Sequence, residues 1–211
     1  MKTDDLIDAL AAGLEPARPA RPIGRLLLVA AVAAVLAVVL LLGVRPDIVQ
    51  AVQSPTPWLK ALYTLSLTAA ALALVTAAGR PGVDMRRALL ALAIVIGLAL
   101  LSGAIELLAA PPGERLADWL GRTWTVCGRN IVMVAAATAP FVFLSARRLA
   151  PTRPAACGAA LGVVAGGIAA TAYGVLHCPE ATAAFVATWY TLGVLAAGTI
   201  GAFVGRFALR W

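Results

Sequence analysis

The chain is poor in the side chains on which catalysis and metal binding ordinarily rest: its 211 residues hold one histidine and three cysteines. One histidine cannot build an HExxH helix, and no Ser-His-Asp set, phosphate-binding glycine loop or CxxC pair is present, so no catalytic constellation stands out. Charge is scarce too. Only 13% of the residues are charged and 62% are hydrophobic, against about 25% and roughly 45–50% in soluble domains. That balance excludes an ordinary soluble domain.

What is abundant is hydrocarbon. Six runs are long enough to cross a bilayer, which takes roughly 17–25 helical residues: Leu26–Val44, Trp58–Gly79, Ala88–Ala110, Cys127–Ala146, Pro154–Leu176 and Ala181–Gly205. The loops between them are too short for a folded head. The expected fold is all-α, a polytopic integral membrane bundle of six transmembrane helices preceded by a short cytoplasmic amphipathic helix. Its parts are a helix over 1–15, a spacer over 16–25, the bundle over 26–206 and a tail over 207–211. The first run follows a long acidic segment and lacks a small-residue cleavage site, so it reads as an uncleaved span rather than a signal peptide.

The formal charge of +7 records topology rather than direct binding of nucleic acid. With the N-terminus inside, Arg45, Lys60, Arg115, Arg122 and Arg129 fall outside and the other twelve Lys and Arg fall inside. Such asymmetry follows the positive-inside rule and places both termini in the cytoplasm.

Thr3 is an N-cap candidate, Asp4 and Asp5 occupy the favoured first turn, and Leu6, Ile7, Leu10 and Leu14 recur at helical spacing. A helix about three turns long is marginal alone in water and gains stability by folding on something. Surface-seeking membrane helices carry Lys and Arg on the polar face, whereas this one is acidic, which favours a basic protein partner with an apolar groove. Prolines at every third position from Pro16 to Pro22 then enforce an extended spacer.

Between spans three and four, Leu116, Trp119, Leu120 and Trp124 suggest a short helix lying in the interface. Glu106, near the outer end of span three, is costly in hydrocarbon and so is either a functional group or a partner of Lys60, Arg122 or Arg129. In span five Gly158, Gly162, Gly166, Ala170 and Gly174 lie every fourth residue, and Gly193, Ala197, Gly201 and Gly205 repeat the pattern in span six. Small residues at this spacing let helix backbones approach closely. They predict a tight hairpin with His177–Glu180 at its tip, or alternatively a homodimer through one face.

The chemistry concentrates at that tip. Cys127 and Cys178 fall on the same outer side, while Cys157 sits at the inner end of span five as a packing residue. Two chemistries stand open. The pair cycles between dithiol and disulfide, or Cys127, His177 and Cys178, with Glu106 or Glu180 as oxygen donor, bind a soft metal of the zinc or cadmium class. Adjacent His177 and Cys178 would diverge on a regular helix, so joint ligation requires an irregular backbone before Pro179.

Met1-Lys-Thr-Asp-Asp-Leu-Ile-Asp-Ala-Leu10, the six spans, Cys127 and His177-Cys178-Pro-Glu with Phe185, Trp189-Tyr190 and Gly193 together resemble the NrsF family of bacterial inner-membrane anti-sigma factors. The resemblance covers essentially the whole chain. It implies a cytoplasmic N-terminal segment that holds an extracytoplasmic-function sigma factor through Asp4, Asp5, Leu6, Ile7 and Leu10. It also implies sensing of heavy-metal or oxidative stress by Cys127 and Cys178; a part for His177 is inferred from adjacency alone. Rival classes are a membrane thiol oxidoreductase, which ordinarily needs a second outer cysteine pair, and a small transporter, for which Glu106 lies off-centre.

Overall fold

The computed structural model describes residues 3–12, 23–80, 82–146, 149 and 151–209. Among them the regular structure is entirely helical, and six helices are long and apolar enough to cross a membrane. Helix α1 covers Thr3–Ala12, and α2 covers Ile23–Ala37 before running into a π-helical turn at Val38–Leu42. Then come α3 (Ile48–Ala51), α4 (Pro55–Ala78), α5 (Arg86–Ala109), α6 (Arg115–Leu120), α7 (Trp124–Ser145) and α8 (Pro154–Leu176). A short α9 (Ala183–Phe185) passes through a second π-helical turn, Val186–Tyr190, into α10 (Thr191–Ala208). Five of the six spans match the expected boundaries to within a few residues; the fourth, Arg115–Ser145, includes the short helix α6 ahead of α7.

Helices are what such a sequence must form, because a backbone in lipid has no water to satisfy its polar groups. Pro55 and Pro154 sit at the starts of α4 and α8, where a missing N–H costs nothing. Gly121 breaks α6 from α7 in a left-handed conformation at φ 60°.

Helix α8 is the central rod: 67% of its most apolar window is buried inside the bundle, against 11% for α5 at the periphery. It packs on α10, α4, α7 and α2. The α8–α10 contact is a seam of glycines. A Cβ on Gly158 would lie 2.7 Å from the Gly205 Cα, and one on Gly162 would lie 2.9 Å from the Gly198 Cα. On Gly166 it would meet the Ala197 methyl at 3.0 Å, and on Gly201 the Gly162 Cα at 2.7 Å. Gly193 instead faces α7, where a Cβ would crowd Ile131 at 3.1 Å. Hydroxyls add polar ties across helices, with Thr64 Oγ1 and Thr171 Oγ1 2.7 Å apart and Thr138 Oγ1 donating to the Ala165 carbonyl at 3.2 Å.

Helix α1 differs from all of these. Every one of its residues is exposed, with Leu6, Ile7 and Leu10 at 43%, 57% and 65%. Asp4 and Asp5 occupy its first turn. Residues 16–22 of the proline spacer, Arg147, Arg148 and the last two residues lie outside the described residues.

Candidate functional site

The end of the bundle away from the start of α2 gathers residues 43–60, 106–127 and 177–190. Helix α8 stops at Leu176, and the N–H groups of both His177 and Cys178 donate to the Tyr173 carbonyl at 3.0 Å. This winding ends the helix and sends the two neighbouring side chains apart. His177 places Nδ1 2.9 Å from the Gly43 carbonyl and lays its ring against Tyr173, with centroids 5.5 Å apart. Gly43, at φ 80°, follows the first π-helical turn.

Cys178 turns inward. Its thiol and that of Cys127, in the first turn of α7, are both free and fully buried, and the two interact. Tyr173 reaches Asn130 and Cys127. Tyr190 Oη makes no regular hydrogen bond, and it stands beside the Cys178 sulfur in looser geometry. The Glu180 N–H also points at that sulfur.

Two cations hold the Cys178 backbone. Lys60, only 3% exposed, donates from Nζ to the Cys178 carbonyl at 3.0 Å, and Arg45 Nη1 donates to the same oxygen at 3.3 Å. Arg45 is itself fixed by Asp47, which accepts from Nε at 2.7 Å and Nη2 at 2.6 Å. That pairing holds the Asp47 carboxyl below the usual carboxylate range. The Arg45 N–H donates to the Leu176 carbonyl at 2.9 Å. Lys60 makes no ion pair among the described residues.

The Cys178 thiol is pulled down to about 6, first by the Cys127 hydrogen bond and then by the Lys60 ammonium, against the opposing push of burial. Hydrogen bonds to the charged form and a nearby cation both favour a thiolate.

The two glutamates serve elsewhere. Glu106 Oε2 accepts the Ala184 N–H at 2.9 Å, capping the start of the last span, and makes no ion pair with Lys60, Arg122 or Arg129. Glu180 Oε1 accepts from the Arg122 N–H at 2.8 Å and the Thr123 hydroxyl at 3.0 Å. Both bonds strap α6 onto the 177–185 segment. Trp119 and Trp189 complete that strap, the Trp189 indole donating to the Trp119 carbonyl at 3.1 Å.

Among the described residues, no group of three His, Cys, Asp or Glu side chains is placed to hold a metal ion. A zinc or cadmium ion here would find two thiols and a neighbouring ammonium, whereas structural zinc takes four N or S donors. The residues do not fit a resident metal.

Arg45, Lys60, Tyr173 and Tyr190 complete the site and were not singled out as site residues by sequence reasoning. Lys60, Thr64 and Thr68 do form a polar stripe at i, i+4 and i+8 in an apolar helix, which is the signal that could have turned Lys60 from a loop charge into a buried one.

Comparison with known proteins agrees with this architecture. The family model described as "Negative regulator of sigma F", NrsF, matches residues 10–211. The chain is 42% identical over its whole length, and the whole of the relative, to "Anti-sigma-F factor NrsF" of Caulobacter vibrioides. It is 37% identical, again over all of both chains, to "Probable anti-sigma-F factor NrsF" of Azospira oryzae. No solved structure matches. The chain belongs to the NrsF family of negative regulators of sigma F and is a regulatory protein rather than an enzyme.

Proposed function

We propose that this chain holds an extracytoplasmic-function sigma factor at the bacterial inner membrane through α1, and lets it go when Cys127 and Cys178 respond to oxidative or heavy-metal stress. The observation that carries the sensing half is the contact between two buried free thiols, one in α7 and one in the loop after α8. Capture rests on α1, whose Leu6, Ile7 and Leu10 stripe faces solvent. An acidic helix with an apolar stripe suits a groove on a basic, nucleic-acid-binding protein. The excess of Lys and Arg on the loops at the α1 end supports cytoplasmic termini and an outward-facing cysteine pair.

Dithiol oxidation is the chemistry the donor set supports. With a hydroperoxide, the Cys178 thiolate attacks the O–O bond and takes one oxygen as sulfenic acid, and the leaving oxygen takes a proton. The Cys127 thiol then displaces water from that sulfur, so two thiols and one peroxide give one disulfide and two hydroxyl products. Heavy-metal ions would act on the same two thiols from outside.

A mechanical route to α1 runs along the first span. His177 bonds to Gly43 and Leu176 to Arg45, so the far end of α2 is tied to the residues flanking Cys178. A shift of the cysteine loop pulls on α2, whose other end leads to α1.

The test uses the full chain in lipid nanodiscs with its cognate sigma factor. Peroxide, and separately cadmium, should lower capture by the wild type, and the double variant Cys127→Ser, Cys178→Ser should capture normally yet ignore both. A double variant that still releases the sigma factor would remove the pair from the mechanism.

A further inference from the structure

Lys60 is a buried ammonium whose one direct partner among the described residues is a neutral carbonyl, that of Cys178. Arg45 points at the same oxygen, but its charge is already matched by Asp47. A buried cation without an anion is among the costlier arrangements a protein can hold. The anion that would satisfy it stands next to it in the form of a thiol.

We infer that Lys60 is the counter-ion of a thiolate on Cys178, making Cys178 the attacking sulfur and Cys127 the resolving one, with Lys60 acting as a positioning residue. This rests on the thiol-sensing reading above. Geometry distinguishes the two sulfurs. Cys178 has the Glu180 N–H and the looser Tyr190 hydroxyl at its sulfur, and its carbonyl carries both cations. The other groups near it are Tyr173 and His177: Tyr173 reaches Cys127, and the His177 ring is held at Gly43.

The same charge supplies a switch. Disulfide formation consumes the thiolate and leaves the pair neutral, so Lys60 then faces only a carbonyl shared with Arg45. Arg45 keeps Asp47 as its counter-ion, whereas the buried Lys60 loses its own, and the relief is for the Lys60 ammonium to leave the Cys178 carbonyl. The loop so freed carries His177, whose ring is bonded to the Gly43 carbonyl, and thus reaches the end of the first span.

The experiment is carbamidomethylation of the full chain in nanodiscs by iodoacetamide, whose thioether Cys127 cannot displace, followed at Cys178 by peptide mass spectrometry as a function of pH. The wild type should react with a mid-point well below the ordinary thiol value of about 8.5. Lys60→Met should raise that mid-point by about two pH units, slowing reaction at pH 7 by about tenfold as the thiolate fraction falls. Lys60→Arg should restore most of it. A Lys60→Met profile that overlays the wild type overturns the proposal. Should Lys60→Met fail to elute as a folded species, the wild-type profile decides: a mid-point near 8.5 overturns the assignment. Sigma-factor release by the double serine variant would sink the sensing reading while leaving this profile, and hence Lys60's role, intact.

Discussion

His177 Nδ1 lies 2.9 Å from the carbonyl oxygen of Gly43, joining the tip of the α8–α10 hairpin to the end of the first span. The bond spends the chain's one imidazole on a structural tie, and it turns that imidazole away from the thiols. The neighbouring Arg45 N–H to Leu176 bond makes the junction two-stranded. In the function proposed above, sensing and transmission would thereby fall to adjacent residues, Cys178 for the first and His177 for the second.

His177→Ala should therefore leave disulfide formation between Cys127 and Cys178 intact while blunting the release of the sigma factor. The lost bond costs about 0.5–1.5 kcal/mol of stability. Intact-mass counting of alkylated thiols after peroxide checks the first point, and sigma-factor capture checks the second. Failure of the disulfide to form in this variant would return His177 to the thiol chemistry.

The glycine seam gives a paired prediction. Gly162→Leu forces a side chain into the Gly198 backbone, while Gly97 on α5 has nothing within 4 Å of its would-be Cβ. Backbone cannot yield as a rotamer can, so Gly162→Leu should cost at least the about 1–3 kcal/mol typical of overpacking and can prevent assembly altogether. Gly97→Leu, on the open side of α5, should be neutral. Thermal melts in detergent compare the two; equal behaviour would mean the α8–α10 approach is looser than described.

Six spans and an N-terminal helix are legible in this chain because lipid imposes a simple code: apolar length specifies spans. The buried site is less legible. Lys60 counts as an outer charge in a tally of basic residues; its stripe with Thr64 and Thr68 marks a packed face of α4, but nothing local says that this face meets Cys178. Glu106 invites pairing with a cation, yet it caps the backbone at Ala184, a relationship that exists only once α5 and α9 are packed. Tyr190 stands in the sequence only as part of the motif that carries the resemblance, and its place beside the Cys178 sulfur exists only once the second π-helical turn is formed.

The lowered Cys178 thiol predicts a pH dependence of stability with a definite sign. Its folded value of about 6 lies below the ordinary value of about 8.5. Between those limits the unfolded chain binds the additional proton, so stability rises with pH across the window. The contribution is complete above about 8.5 and lost as pH falls through about 6. Melting of the reduced protein in nanodiscs should show this slope, and Cys178→Ser and the oxidised protein should lack it. A slope that persists in Cys178→Ser would assign the titration to another group.

Leu6→Asp with Leu10→Asp tests capture separately from the bundle. Both leucines are solvent-exposed on α1, and α1 buries no residue, so the double change removes no packing from the six spans. Two added carboxylates on the apolar stripe would have to be desolvated in the partner's groove, a cost that binding cannot absorb without a matching cation. The variant should insert, melt as the wild type does and form the Cys127–Cys178 disulfide, yet fail to retain the sigma factor in a pull-down at moderate salt. Asp4→Asn with Asp5→Asn should weaken capture less, and mainly at low ionic strength, because exposed charges act over roughly a Debye length of about 10 Å at 0.1 M salt. Full retention by the leucine variant would move the sigma-binding surface off α1 and onto the loops between the spans.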